Sequence, residues 1–211
     1  NDTTQDRVIR REVPLKPGEY YNSVELDTTR RRLKNMNYFN DVQVGASPSN
    51  QAGYRDVSIQ VDEKKTGSIS FGLGFSSVDS IVGYVNLEQT NFDIGNWPRF
   101  TGAGQRFSAK LQLGSQRTDF RLSWVEPWFL GQRLALGTEF FYRDALYYSS
   151  EYEQSQYGAA VSLRKPVSKR AYVRAEYRIE QITIDPDTGT SPAFKMDQGD
   201  FLRSVLSFNY V

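Results

Sequence analysis

Between Ser68 and Val211 apolar and polar residues alternate in stretch after stretch, and this period of two constrains the fold more than any other feature. Successive side chains of a strand point to opposite faces. Ile69, Phe71, Leu73 and Phe75 therefore share one side of their segment, opposite only Ser and Gly. Later, Val173, Ala175, Tyr177 and Ile179 lie opposite Arg174, Glu176, Arg178 and Glu180. The apolar side is too aromatic and too continuous for one face of an ordinary soluble sheet. Each strand separates an apolar medium from a polar one, and lipid outside with water inside is the simplest assignment. That is the pattern of an antiparallel transmembrane β-barrel.

The alternation predicts eight strands: 68–76, 80–90, 105–115, 118–126, 133–145, 156–167, 170–184 and 200–211. Their faces agree. Phe107, Ala109, Leu111 and Leu113 oppose Arg106, Ser108, Lys110 and Gln112, and Leu202, Leu206, Phe208 and Tyr210 oppose Arg203, Ser207 and Asn209. Tight connections fall near Gly114-Ser115-Gln116, Leu130-Gly131-Gln132 and Ser168-Lys169, and longer ones span 146–155 and 185–199. Short turns on one side and long loops on the other are usual in barrels. The long 91–104 connection departs from that rule.

Composition narrows the function. Lys plus Arg is 26 against 25 for Asp plus Glu, a net charge of +1 that gives no case for a nucleic-acid partner. No window holds 18 consecutive apolar residues, so a helical membrane span is excluded. His and Cys are both absent, which removes Ser-His-Asp and Cys-His catalysis and the usual zinc sites. Only a carboxylate pair remains for catalysis, and every acidic residue of the strand region has a basic neighbour, so no catalytic residue, metal or cofactor is assigned. Aromatic residues make up 14% of the chain, which suits membrane-interface girdles. Trp97, Trp124 and Trp128, with Tyr147, Tyr148 and Tyr152, are the candidates. Asp185-Pro186-Asp187-Thr188-Gly189 lacks the bidentate Glu of a calcium loop and reads as a turn.

Residues 1–64 follow another grammar. Thr3 or Thr4 is expected to cap a helix over 5–13, and Asn22 or Ser23 a second one through Asn35. Val24, Leu26 and Leu33 should face inward, with Arg30, Arg31 and Arg32 mostly solvated. Strands are predicted at 39–46 and 54–63, joined by a polar loop. Two strands and two short helices make a thin core, so a preceding strand is expected to be missing. The opening Asn1-Asp2-Thr3-Thr4 reads as the start of a helix rather than a natural N-terminus, which points to an excised fragment.

Three stretches, in this order, resemble BamA-type outer-membrane assembly factors. They are Val8-Ile9-Arg10-Arg11-Glu12 with Leu15-Lys16-Pro17-Gly18-Glu19-Tyr20-Tyr21; Leu33 to Val42; and Val61 to Phe75. Glu126-Pro127-Trp128-Phe129 is similar to a turn of the same barrels. The resemblance implies an α+β POTRA-like periplasmic module at 1–64, without its first strand, and at 65–211 the N-terminal eight strands of a barrel of about sixteen. The family's Val-Arg-Gly-Phe motif and the remaining strands are absent.

The strand Gly67, Ser68, Ile69, Ser70, Phe71, Gly72, Leu73, Gly74 and Phe75 is the leading site candidate. Glycines weaken strand pairing, and a weakly paired edge could open and template an incoming strand. The resemblance implies such a lateral gate; the plainer reading is that small residues fit a crowded wall. Phe39, Asp41, Val42, Gln43 and Val44 form a possible second pairing edge in the module, or an ordinary hairpin under helices. Arg174, Glu176, Arg178, Glu180 and Arg203 face the lumen, shaping a conduction path or forming cross-strand ion pairs.

The resemblance implies a non-enzymatic role: insertion of unfolded outer-membrane protein clients into the bacterial outer membrane, with outer-membrane lipid and accessory periplasmic lipoproteins as partners. A secretion pore of the same superfamily and a soluble β-sandwich binding module are the alternatives. The sandwich would require Phe71, Leu111, Leu122 and Tyr177 to pack against a second protein layer.

Overall fold

The computed structural model describes residues 2–77, 80–145, 152–168, 170–186 and 199–211. The chain forms two compact units, one of Asn1–Gly67 with Gln89–Gln105, the other of Ser68–Glu88 with Arg106–Val211.

In the first unit, α1 (Asp6–Arg10) and α2 (Ser23–Asn35) cover a two-stranded hairpin of β1 (Phe39–Pro48) and β2 (Arg55–Glu63). Asn22 caps α2, its Oδ1 accepting from the Val24 amide at 3.0 Å. Leu26, Thr29 and Leu33 recur at helical spacing and are the buried residues of α2. Val24 is two positions off that stripe and 66% exposed, which corrects the expectation that it faces inward. Arg30 and Arg31 are exposed and Arg32 is half-buried. Asn37 (φ 60°) ends the helix in the left-handed region that Asn tolerates, and the Lys64 ammonium donates to its side chain. The core joins Val8 and Ile9 of α1 to Leu26 and Leu33 of α2 and to Tyr38, Phe39, Val42 and Val44.

The first helix is shorter than predicted, and neither Thr3 nor Thr4 caps it: Gln5 occupies the cap position without a side-chain bond. Thr4 has other partners. Its amide donates to Glu63 Oε1 at 2.6 Å, and its hydroxyl accepts from Asn91 Nδ2 at 2.9 Å. The connection expected at 91–104 is, as the longer segment 89–105, built into this unit. Asn91 Oδ1 accepts from the Gly104 amide at 2.8 Å, the Gln5 amide donates to the Gly102 carbonyl at 2.8 Å, and Gln5 Nε2 donates to Asp93 at 2.6 Å. The Tyr38 hydroxyl donates to the Thr90 carbonyl at 2.7 Å. Gly102 (φ +121°) lies against the Thr3 carbonyl, where a Cβ would not fit.

The second unit is one antiparallel sheet in the order β10-β9-β8-β7-β6-β5-β4-β3. Its strands are β3 (Gly67–Ser76), β4 (Ser80–Phe92), β5 (Gln105–Gly114), β6 (Arg117–Glu126), β7 (Ala135–Ala145), β8 (Tyr152–Pro166), β9 (Tyr172–Pro186) and β10 (Gly199–Tyr210). All eight predicted strands are present, with ends moved by a few residues. Each is the next neighbour of the one before it, the simplest route for an antiparallel sheet. Leu130 and Gly131 take positive φ in the turn between β6 and β7. Among the described residues no helix is long and apolar enough to cross a membrane, which says nothing of strands.

Candidate functional site

The face of β3 that carries Ile69, Phe71, Leu73 and Phe75 is uncovered. Phe71 is 80%, Leu73 83% and Phe75 89% exposed. Phe140, Tyr177, Leu206 and Phe208 are exposed on the same face of later strands, so no second protein layer lies over it. An apolar surface this extensive is incompatible with water as its neighbour. The soluble sandwich is thereby corrected: its required covering layer is absent among the described residues.

β3 stands at one end of the sheet, and its sequence Gly-Ser-Ile-Ser-Phe-Gly-Leu-Gly-Phe-Ser has neither charge nor proline. The two strand glycines differ. A Cβ on Gly72 would sit 2.6 Å from the Tyr84 ring of β4, so the ring fills the space that glycine leaves. At Gly74 nothing lies within 4 Å. On the opposite face Leu73 reaches over Gly83, whose Cβ would be 3.5 Å from the leucine methyl. Small and large residues thus interlock between β3 and β4 at Gly72 and Gly83, whereas Gly74 stands free of that packing.

In the module hairpin, Phe39, Val42 and Val44 are buried while Asp41 and Gln43 are exposed. Gln43 Nε2 donates to Asp41 Oδ2 at 3.0 Å. That bond, then the Val42 amide, holds the Asp41 carboxyl below its ordinary range. A register shift between Phe39 and Asp41 opens the β1 ladder at Asn40. The three apolar members of this candidate edge therefore belong to the core, and the polar pair is what β1 presents to solvent.

Opposite the apolar wall runs a charged face. Glu139 of β7 and Arg178 of β9 both face Ala160 of the intervening β8, and they pair across it at 3.5 Å. Only a short side chain at position 160 leaves that path open. Arg178 also reaches Glu176 at 3.2 Å and lies 5.0 Å from the centre of the Phe141 ring. Arg174 pairs with Glu176, and Arg203 of β10 pairs with the buried Glu180. Asp119 and Arg143 continue the row at 3.0 Å. Gly158 lies opposite Glu180, and a Cβ there would meet the β9 backbone.

Comparison with known proteins fits this geometry. The family described as Omp85 superfamily domain matches residues 99–211, more than half of the chain. The chain belongs to the Omp85 superfamily. The POTRA family, described as a surface antigen variable number repeat, matches residues 1–64 of this Omp85 chain. A putative outer membrane protein assembly factor of Treponema pallidum is 31% identical over 142 residues, 65% of this chain and 16% of that protein. Outer membrane protein assembly factor BamA of Buchnera aphidicola is 31% identical over 152 residues, 70% of this chain and 23% of that protein. BamA of Nitratidesulfovibrio vulgaris is 23% identical over 212 residues, all of this chain and 25% of that protein. The chain thus spans a quarter or less of the length of these relatives. A crystal structure of Haemophilus ducreyi BamA lacking POTRA domains 1–3 shares the fold, with a TM-score of 0.75 over 99% of this chain and 41% of that one at 20% identity.

Membership makes the sheet the N-terminal part of an outer-membrane barrel wall and residues 1–64 a periplasmic module. The structure gathers the nine β3 candidates on one edge strand and the five charged candidates into one face. Sequence reasoning missed Thr4, Asn91 and Asp93 of the Omp85 chain, which are buried polar residues binding the 89–105 segment to the module. Their only signal is the small and polar run Thr101-Gly-Ala-Gly104 at the end of a connection too long for a tight turn. Trp97, expected at a membrane interface, lies in that segment edge-on to Phe100. Tyr147, Tyr148 and residues 187–189 of the calcium-like turn lie outside the described residues, as does the side chain of Tyr152.

Proposed function

We propose that this chain is the part of an outer-membrane protein assembly factor in which β3 serves as a weakly paired lateral edge and the module receives unfolded clients. The observation that carries the reading is β3 itself. Sheets usually protect their edges with charge, proline or bulges, and this edge has no charge and no proline. An incoming strand can add its main-chain hydrogen bonds there, while Ile69, Phe71, Leu73 and Phe75 keep the new pair compatible with lipid. Satisfying backbone groups in hydrocarbon supplies the driving force, so no nucleotide is needed. The names of the relatives support the assembly role. Asp41 and Gln43 on β1 offer the module's exposed contacts to clients, and periplasmic lipoproteins would bind outside the barrel wall.

The test places Gly74→Pro in the full-length protein and follows folding of client barrels in cells. Proline removes a ladder donor, and at Gly74 it meets no neighbouring side chain. Client folding should fall several-fold while the variant itself still folds, read by its heat-modifiable mobility on gels. Crosslinks from Ser70→Cys to client strands should disappear in parallel. Undiminished client folding with a folded Gly74→Pro protein refutes the edge role.

A further inference from the structure

The apolar side of β8 ends in a charge. Tyr157, Ala159, Val161 and Leu163 follow one another on the lipid side, and the next position there is Lys165, exposed and opposite Val173 of β9. A lysine stem lies along apolar surface while its ammonium reaches the headgroup level. The turn that follows is tightly closed. The Val167 and Ser168 amides both donate to the Ala171 carbonyl, at 2.9 and 3.1 Å, and the Arg170 amide donates to Ser168 Oγ at 3.2 Å. From Arg164 to Arg170 the sequence carries four cations and no acid, although Lys169 lies outside the described residues. The Arg164 guanidinium stacks 3.7 Å from the centre of the Tyr172 ring. The next carboxylate along the chain, Glu176, is engaged by both Arg174 and Arg178. Among the described residues no carboxylate pairs with Arg164, Lys165 or Arg170.

β3 follows the periplasmic module directly, so counting crossings from it puts the β8–β9 turn at the inner-leaflet side of the wall. The other two connections on that side are balanced: residues 91–104 hold Asp93 and Arg99, and residues 126–134 hold Glu126 and Arg133. At the far ends of the same two strands Glu153 stands opposite Asp185, so the positive charge is confined to one end. We infer that the β8–β9 turn binds the headgroup of an anionic phospholipid of the phosphatidylglycerol type. Lys165, on the lipid side by register, meets the phosphate. Arg164 and Arg170 belong to the same tight turn and raise the local potential, which falls off over about 8 Å at physiological salt. Phosphatidylglycerol brings a net negative charge to that potential. Phosphatidylethanolamine brings an ammonium beside its phosphate, which the turn repels. The inference rests on the lipid-facing wall and not on the assembly role.

The full-length protein in mild detergent is offered equal amounts of phosphatidylglycerol and phosphatidylethanolamine, and bound lipid is read by native mass spectrometry. Phosphatidylglycerol should be retained about tenfold over its competitor, equivalent to ~1.4 kcal/mol. The double variant Lys165→Gln with Arg170→Gln changes two exposed side chains, so it keeps the fold, checked by heat-modifiable mobility; its preference should fall below about threefold. Lys165→Gln alone should fall between the two, and Lys165→Arg, which keeps the charge, should match the parent. Glu153→Gln with Asp185→Asn, at the other end of the strands, should leave the preference unchanged. Equal retention of both lipids by the parent, a preference that survives in the double variant, or one lost in Lys165→Arg or in the Glu153 and Asp185 variant overturns the proposal.

Discussion

Replacing Asn91 with alanine should release the 89–105 segment from the body of its own unit. Asn91 is 2% exposed and Thr4 is 4% exposed, so water cannot readily replace what is lost. The substitution leaves the Gly104 amide without its acceptor at 2.8 Å and the Thr4 hydroxyl without its donor at 2.9 Å. An orphaned buried donor costs about 1–3 kcal/mol and a lost neutral hydrogen bond about 1, which together give about 2–4 kcal/mol. Each ~1.4 kcal/mol is a factor of ten, so local opening should become roughly 30- to 700-fold more frequent. Amide hydrogen exchange of the full-length protein, followed at Gln5 and Gly104, reads this directly. Thr4→Val orphans the Asn91 amide instead. Because both variants break one network, the double variant should cost less than the sum by about 0.5–3 kcal/mol. Exchange at Gln5 and Gly104 within threefold of the parent would refute the network as what holds the segment.

Two more substitutions separate packing from pairing in β3. Gly72→Ala drives a methyl into the Tyr84 ring and should destabilise the barrel by about 1–3 kcal/mol, while Gly74→Ala, which enters open space, should change its heat-modifiable melting little. Glu63 provides a pH test. Partial burial acts to raise its carboxyl, but the Thr4 hydroxyl and the amides of Thr4, Thr3 and Asp2 outweigh it and hold the group below 4.5. A depressed carboxyl gives stability that is full above its unfolded value and is lost as pH falls through the folded one. Protection at Thr3 and Thr4, taken relative to the intrinsic exchange rate at each pH, should therefore fall below pH 4.5 in the parent, whereas Glu63→Gln should be less protected at neutral pH and change little across that window.

The barrel strands were legible because their period of two is local: each strand declares its faces within its own ten residues. The second helix was legible for the same reason through Leu26, Thr29 and Leu33, and Val24 misled because apolarity was read without its position on the stripe. Little local marks the 89–105 segment beyond its length and the small, polar run from Thr101 to Gly104. Asn91, Asp93 and Gly102 carry no distinguishing pattern until partners 87 to 99 positions earlier, Thr4, Gln5 and Thr3, are brought beside them. Thr4 failed as a helix cap through the same non-local competition, since Glu63 and Asn91 both engage it. The charged candidates were legible as a face. Their pairing across β8 was not, because it depends on the register that sets Ala160 between Glu139 and Arg178.

β3 is held to the wall differently from the strands β7 to β10, and this bears on why β3 can open. From β7 to β10 the main-chain ladder is reinforced by ion pairs that cross strands, including one that steps over β8 entirely and one from Arg203 to a buried Glu180. Pulling β10 away would strand that carboxylate, and an uncompensated buried charge costs about 3–5 kcal/mol. β3 has no ionisable residue with which to form such a tie. Beyond its main-chain bonds, the described side-chain contacts at its glycines are Tyr84 over Gly72 and Leu73 over Gly83. Detaching it therefore strands no charge, and in hydrocarbon the apolar side chains lose little by exchanging one greasy neighbour for another. What must be replaced is the row of backbone hydrogen bonds, and another strand supplies those. An Arg and Glu pair engineered across β3 and β4 on the polar face should accordingly suppress client folding while raising the temperature at which the barrel melts.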